Sequence, residues 1–297
     1  MSQTLSPSSK KPYGVARVIQ IWGLARSSYY AARQHQRVPR SPGKRGPQRL
    51  SDTDLVEEIR QVIEGSVFHG EGYRKVWARL RHKNVRAWKD RVLRVMREHQ
   101  LLSPSRQPAA RPGNPHEGSI VAEAPNQLWG TDGTTTVTEQ EGQVTIFAAI
   151  DHCTADCIGI HVVKRAHRFE ALEPIRQAVR EQFGSFSAGA AAGVRLRHDH
   201  GSVYMSDDFQ NEIRFVGLEA SPAFVRQPEG NGCIERFFRT LKEQLLWVRG
   251  FRDLAELREA LLDFRLRYNE HWILGRLGYR TPAQARRDFS LDLAQAA

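Results

Sequence analysis

The 297-residue sequence predicts an α/β protein, a mixed five-stranded sheet with helices, preceded by small all-α modules. Three observations carry that expectation. Residues 127–165 hold three short runs rich in β-branched and aromatic residues, separated by turn segments. From Arg168 onward the apolar spacing switches to three and four, with short strand-like runs between helices, which is the order of an α/β unit. Ahead of residue 125 the periodic segments are all helical, and they are separated by basic stretches rich in Pro and Gly.

Each element has its own signal. Residues 14–33, GVARVIQIWGLARSSYYAAR, divide around Gly23 into two short helical patterns. Val15, Val18, Ile19 and Trp22 form the first face; Ser27 is a candidate cap for a second helix carrying Tyr29, Tyr30 and Arg33. Such a pair is a helix-turn-helix candidate, with a plain helical hairpin as the alternative. After the basic linker 41–49, Ser51 caps a helix through about Ile63, with Leu55 and Ile59 inward. Two more helices follow, Tyr73–Lys83 with Val76 and Leu80 inward and Trp88–Gln100 with Val92 inward. They carry nine cations, from Arg74 and Lys75 to Arg94 and Arg97, a density that suits phosphate contacts. Residues 102–125 are Pro-rich and aperiodic and read as a linker.

Beyond the linker, strands are expected at 127–137, 143–152 and 157–165, joined by turns at Glu139–Gly142 and Cys153–Asp156. A helix over Arg168–Phe183 buries Leu172, Ile175 and Val179 and leads through a small-residue loop to a strand at 194–199. Next come a short helix capped by Ser206, a strand around Ala220–Val225, and a helix from Asn231. Ile234, Phe237, Phe238, Leu241 and Leu245 make one stripe on that helix. A long amphipathic helix, Asp253–Tyr268, closes the series. The expected organisation is a helix-turn-helix at 1–40, a second helical module at 50–103, a linker at 104–125, the α/β core at 126–248 and a C-terminal helical extension at 249–297.

Charge is segregated along the chain. Residues 1–120 carry 23 Lys and Arg against 9 Asp and Glu, whereas residues 121–297 carry 21 against 24. A basic front half and a near-neutral back half point to an N-terminal module for a polyanion, with nucleic acid favoured over mere solubilising charge. Three cysteines give no disulfide framework, which suits a reducing, cytoplasmic compartment. Cys153 and Cys157 lack the further ligands of a zinc site and read as packed thiols. The N-terminus has no apolar signal region and no run of about 18 apolar residues occurs, so neither standard secretion nor membrane spanning is expected.

Three carboxylates stand where strands and helices can bring them together: Asp132 on the first strand, Asp199 ending the fourth, and Glu235 beside the apolar stripe of the late helix. Hard carboxylate oxygens suit Mg²⁺, and two such ions about 4 Å apart can drive in-line phosphoryl displacement. Arg236, Arg239 and Lys242 surround Glu235 and can meet phosphates, although a simple helix ion pair is the bland reading of Arg239. With 24 acids in this half of the chain, spacing alone does not establish the triad.

The flanking motifs supply what spacing does not. LWGTDGT, RHDHGSVYMSDDF and PEGNGCIERFFRTLKE, with 35 residues between Asp199 and Glu235, resemble the D,D-35-E core of insertion-sequence transposases and retroviral integrases. AAIDHCTADCIG resembles that family's second and third strands, and YNEHWILGRLGYRTPAQA its C-terminal tail. GLARSSYY and GYRKVWARLRHKN resemble the helix-turn-helix modules of bacterial members, so the likeness covers about residues 13–287. Where many relatives have His-Ser before the second Asp, this chain has Arg197-His198.

The resemblance implies an RNase H-like core of the DDE superfamily, in which Asp132, Asp199 and Glu235 are catalytic and hold Mg²⁺ or Mn²⁺, two ions in all. It implies a polynucleotidyl transferase that cleaves strands at element ends and transfers the 3′-OH into target DNA. Partners would be double-stranded DNA and further copies of the chain, with contacts from Arg239, Lys242, Arg236, Arg74, Lys75 and Arg26. Asp151, the best decoy acid, and Trp129 are expected to be structural, and His198 and His200 are not expected as metal ligands. Two alternatives remain open from sequence: a catalytically silent DNA-binding relic, and an RNase H-type nuclease.

Overall fold

The computed structural model describes residues 3–37, 50–104, 122–222 and 231–296. The linker at 41–49, most of that at 104–125 and the end of the strand expected at 220–225 lie outside the described residues. The chain divides into two compact units, Met1–Ser51 and Asp52–Ala297.

In the first unit, α1 (Val15–Ile21) and α2 (Arg26–Arg37) meet at a tight turn in which Leu24 N–H donates to the Ile19 carbonyl at 3.0 Å. Helix α2 already begins at Arg26, so Ser27 lies inside its first turn and is not the cap expected from sequence. Ile19 is the buried residue of α1, while Ile21, Trp22 and Leu24 are exposed.

The second unit begins with three helices, α3 (Asp52–Glu64), α4 (Tyr73–His82) and α5 (Lys89–Glu98), which bury Leu55, Ile59, Val76, Leu80, Val92 and Val95 against one another. Strands β1 (Leu128–Thr138), β2 (Gly142–Asp151) and β3 (Cys157–Val163) form an antiparallel meander. Helix α6 (Arg168–Phe183) crosses to β4 (Arg195–His198), which pairs parallel to β1. Helix α7 (Asp207–Phe215), with the Ser206 side chain accepting from Phe209 N–H, leads to β5 (Glu219–Pro222), parallel to β4. The sheet order is therefore β3-β2-β1-β4-β5.

Both faces of this sheet are covered, as the alternation of side chains along each strand requires. On one face Trp129, Phe147 and Ala149 pack with Leu172, Ile175 and Val179 of α6 and Phe209 and Ile213 of α7. On the other, Ile146, Ala148 and Ile150 meet α8 (Gly232–Leu241) and α9 (Leu254–His271). Here Phe237, Phe264 and Tyr268 form an aromatic cluster with centroids 5.0 to 6.0 Å apart. Each such ring, fully buried, contributes about 1.5–3 kcal/mol.

Glycine permits the closest approach in the sheet packing: Gly159 of β3 lies directly under the Pro174 carbonyl of α6, where any Cβ would collide with backbone. Helix α8 does not run on smoothly to Leu245 as its stripe suggests. It passes at Lys242–Leu246 into a π-helical turn, which still buries Leu245 and Leu246.

Two segments expected to stand apart are packed into this unit. Helix α9 supplies Leu257, Leu261 and Phe264 to the core, so residues after 249 complete the α8 face of the sheet. The helical module is docked there too. Phe68 packs edge-on against Phe264 and Trp272, and the Gln244 amide exchanges two 2.9 Å hydrogen bonds with the His69 backbone. After a 3-10 turn (Gly275–Leu277), α10 (Pro282–Ala296) starts with a reciprocal capping box, Thr281 N–H to Gln284 Oε1 and Gln284 N–H to Thr281 Oγ1.

Candidate active site

The parallel pairing of β1 and β4 sets the site. Its last registered pair is Gly130 with Arg197, so continuing the two strands brings Asp132 level with Asp199. Asp132 sits on the part of β1 that has lost its β4 neighbour but still pairs with Ala148 of β2. Ala148 belongs to the face covered by α8, and strand alternation points the Asp132 side chain to that same face. Glu235 lies in the first turn of α8 and is exposed, as is Asp199.

The electrostatics of Asp132 report the convergence. Burial pushes its carboxyl up to about 6, and the charges of Asp199 and Glu235 push the same way. The Gly133 N–H, which donates to Asp132 Oδ1 at 2.7 Å, and the Lys242 ammonium oppose the rise. All three sequence-predicted acids and Lys242 therefore share one electrostatic neighbourhood. Asp199 is held by a short turn in which Gly201 N–H donates to its Oδ1 at 2.8 Å. Among the described residues no three His, Cys, Asp or Glu side chains are close enough to enclose an ion as they stand. The donor chemistry nonetheless fits a divalent cation: carboxylate oxygens whose mutual repulsion a positive charge would relieve.

Sequence reasoning missed the residues that fix the third acid. Asn231, the N-cap of α8, is buried, and its Nδ2 donates to the Thr131 carbonyl at 3.3 Å. That bond ties the start of the Glu235 helix to the peptide preceding Asp132. Gly130 makes room for it: a Cβ there would lie 2.6 Å from His152 Nε2 and 3.0 Å from Asn231 Oδ1. Burial, and next the charges of Arg197 and Arg276, lower the His152 pKa to about 4, so its imidazole is neutral. The only sequence signal was a polar residue at a helix start and a Gly in a strand.

The neighbouring histidine serves the packing. His198 is buried and stacked on Tyr204, with Nδ1 2.7 Å from the Asp199 carbonyl oxygen and Nε2 3.4 Å from Gln210 Nε2. Tyr204 itself is 4% exposed; its hydroxyl lies near Thr131 without a hydrogen bond of ordinary geometry, and burial, then the charges of Asp132 and Asp199, raise its pKa.

Asp151 is a buried structural acid. Its oxygens accept from the backbone N–H groups of Asn126, Cys153 and Thr154 and pair with Arg286 at 3.2 Å. Arg286 also pairs with Asp156 at 2.8 Å, pinning α10 to the β2–β3 turn. Trp129 is fully buried and donates its indole N–H to Asn126 Oδ1. The three cysteines are free thiols.

The basic residues expected to meet DNA divide. Arg236 is exposed, Lys242 half-buried, and Arg239 pairs with Glu243 at 3.1 Å, not with Glu235. Arg26 is exposed with its guanidinium over Tyr30, and Arg74 is exposed beside the Tyr73 hydroxyl. Lys75 requires a correction. Its ammonium sits over the Trp272 ring and beside Glu71, with 19% of the side chain exposed. A lysine sequestered between an indole and a carboxylate holds the module to α9 and does not suit a DNA contact. Arg79 is similarly engaged by Glu71 and the His271 carbonyl.

Known families and proteins resemble the chain along most of its length. Two family profiles described as integrase core domain match residues 122–228 and 216–282, and an HTH-like domain profile matches 50–109. The transposase InsD of insertion element IS2A/D/F/H/I/K from Escherichia coli is 29% identical over 244 residues, covering 78% of each chain. InsD of insertion element IS2-9 from E. coli K12 is also 29% identical, over 78% of this chain and 76% of its own. Among solved structures, a simian T-cell lymphotropic virus intasome chain superposes with a TM-score of 0.47 at 18% identity, covering 80% of this chain and 74% of that one. The catalytic core domain of BIV integrase gives 0.42 at 18% identity over 57% of this chain and 99% of its own. Those scores are too low to bear on the fold, which rests on the strand order and the integrase core matches. A mixed sheet of order 3-2-1-4-5 under two overlapping integrase core matches, an HTH-like module ahead of it, and transposase relatives along most of the chain identify an insertion-sequence transposase of the DDE superfamily with an RNase H-like core.

Proposed function

We propose that Asp132, Asp199 and Glu235 are the catalytic and metal-holding acids of a polynucleotidyl transferase that cleaves DNA at element ends and joins the 3′-OH to target DNA. The observation that carries this reading is the β1–β4 register, which brings Asp132 level with Asp199 on the sheet face covered by the helix that carries Glu235; the charges of both other acids also raise the Asp132 pKa. The three carboxylates would hold Mg²⁺ or Mn²⁺, two ions in all; bound there, the metal supplies activation of an attacking oxygen and charge stabilisation for the leaving one.

The chain's own groups do the rest. Asn231 anchors the first turn of α8 to β1, so Glu235 is presented on a fixed helix. The Gly201 N–H holds the Asp199 carboxylate in its turn. Lys242, close enough to lower the Asp132 pKa, would offer a cation to a phosphate bound at the three acids. Arg236 and Arg239, on the exposed side of α8, would meet the phosphate backbone. The modules at 1–40 and 50–103 would bind element ends, and paired ends would require more than one copy of the chain.

The test is cleavage and strand transfer on duplexes carrying the element's ends, with Mg²⁺ or Mn²⁺. Wild type nicks and joins; Asp199→Asn retains DNA binding and loses both reactions. Activity retained in that variant overturns the triad, and wild-type binding without nicking at any metal concentration indicates a silent relic.

A further inference from the structure

Some cations of the helical module are held by acids and others are not. Arg91 and Arg94 pair with Asp52, Arg94 also with Glu98, and Arg79 and Lys75 with Glu71. Arg81, Lys83, Arg86 and Lys89 are exposed and make no ion pair among the described residues. These four converge on one place, the turn between α4 and α5. Asp90 is the acid adjoining it.

From the same turn Trp88 projects with 79% of its surface exposed, the most exposed large apolar side chain among the described residues. A singly exposed apolar side chain is ordinary, but this indole lies in the same turn as four cations, so an apolar ring and positive charge are presented together.

The turn is also rigid. Asn84, at φ +62°, closes α4 with a Schellman pattern in which Val85 N–H donates to the Leu80 carbonyl and Asn84 N–H to the Arg81 carbonyl. The Trp77 indole donates to the Ala87 carbonyl at 3.1 Å and packs edge-on against Tyr279, while Arg81 and Lys89 lie over its ring. A fixed turn loses little conformational entropy on binding.

We propose that this turn is a duplex-DNA contact of the transposase, in which Lys83 and Arg86 hold phosphates and Trp88 lays its ring against base edges of the element end. The inference rests on the proposed function for its ligand. Phosphate contacts are indifferent to sequence and carry the salt dependence, while an apolar contact on bases carries discrimination.

The experiment is fluorescence anisotropy of the full chain with an end-containing duplex and a scrambled duplex over a salt series. The Lys83→Ala/Arg86→Ala variant weakens binding to both duplexes and lowers the slope of log affinity against log salt by about 2. Trp88→Ala keeps that slope and loses about tenfold of the preference for the end sequence, and Trp88→Phe restores most of it. Binding by both alanine variants that matches wild type overturns the proposal, as does an equal loss on both duplexes in Trp88→Ala. Metal-dependent nicking by wild type is scored in parallel: its absence strikes the proposed function, whereas unchanged binding by the variants with nicking intact strikes this contact alone.

Discussion

Replacing Asp132 by Asn should stabilise the metal-free protein while abolishing its activity. Burial, reinforced by the charges of Asp199 and Glu235, raises the Asp132 pKa from an ordinary 3.8 to about 6. At about 1.4 kcal/mol per tenfold, that rise is worth about 3 kcal/mol, and partial exposure of the side chain reduces it to about 2 kcal/mol. The folded state binds the proton more tightly than the unfolded chain does. Asp132 therefore costs nothing below pH 3.8, costs progressively more as pH rises through about 6, and its cost is constant above that. Asparagine is neutral throughout and keeps an oxygen for the Gly133 N–H.

Urea denaturation of both proteins in chelator between pH 4 and pH 8 reads the effect as a difference in which titrating groups remote from Asp132 cancel. The variant should be about 2 kcal/mol more stable at pH 7 and no more stable at pH 4. Adding Mn²⁺ at about 100 times its Kd should then stabilise wild type by about 2.7 kcal/mol and the variant by much less. A pH-independent difference, or equal stabilisation of both by Mn²⁺, would refute the reasoning.

Other expectations follow from single contacts. Asn231→Ala removes the bond from the α8 cap to the Thr131 carbonyl, so kcat for strand transfer should fall about 10- to 100-fold with the DNA KM little changed; a change confined to KM would count against a positioning role. Arg286→Met leaves buried Asp151 and Asp156 without their cation and should cost about 3–5 kcal/mol in urea denaturation at pH 7, with part of the loss recovered at lower pH as Asp156, whose pKa burial raises, takes up a proton. Gly159→Ala drives a methyl into the Pro174 carbonyl and should lower stability by about 2–3 kcal/mol, read as a drop in thermal midpoint.

Much of the chemistry stood in local patterns. Helix α6 follows the expected span over Arg168–Phe183, and Ser206 caps α7 as its side-chain type predicts. The same patterns were mute about partners. Nothing near Lys75 in the chain says that Trp272, almost 200 residues on, will cover its ammonium. Nothing near Arg94 distinguishes it from Arg86, yet one meets Asp52 across the bundle and the other faces outward. Ion pairing between helices depends on rotation about their axes, which a charge count does not contain.

Asn231 shows the same division at the site. Apolar periodicity acts over a few residues, so a helix start there, with Glu235 in its first turn, was legible without the fold. The motifs around the three acids marked them as candidates, and composition marked a basic front half. That Asp132 and Asp199 come level depends on the register of two parallel strands far apart in sequence, which no local pattern encodes. That Asn231 reaches the Thr131 carbonyl across a strand kept bare by Gly130 is likewise chosen by packing and close approach.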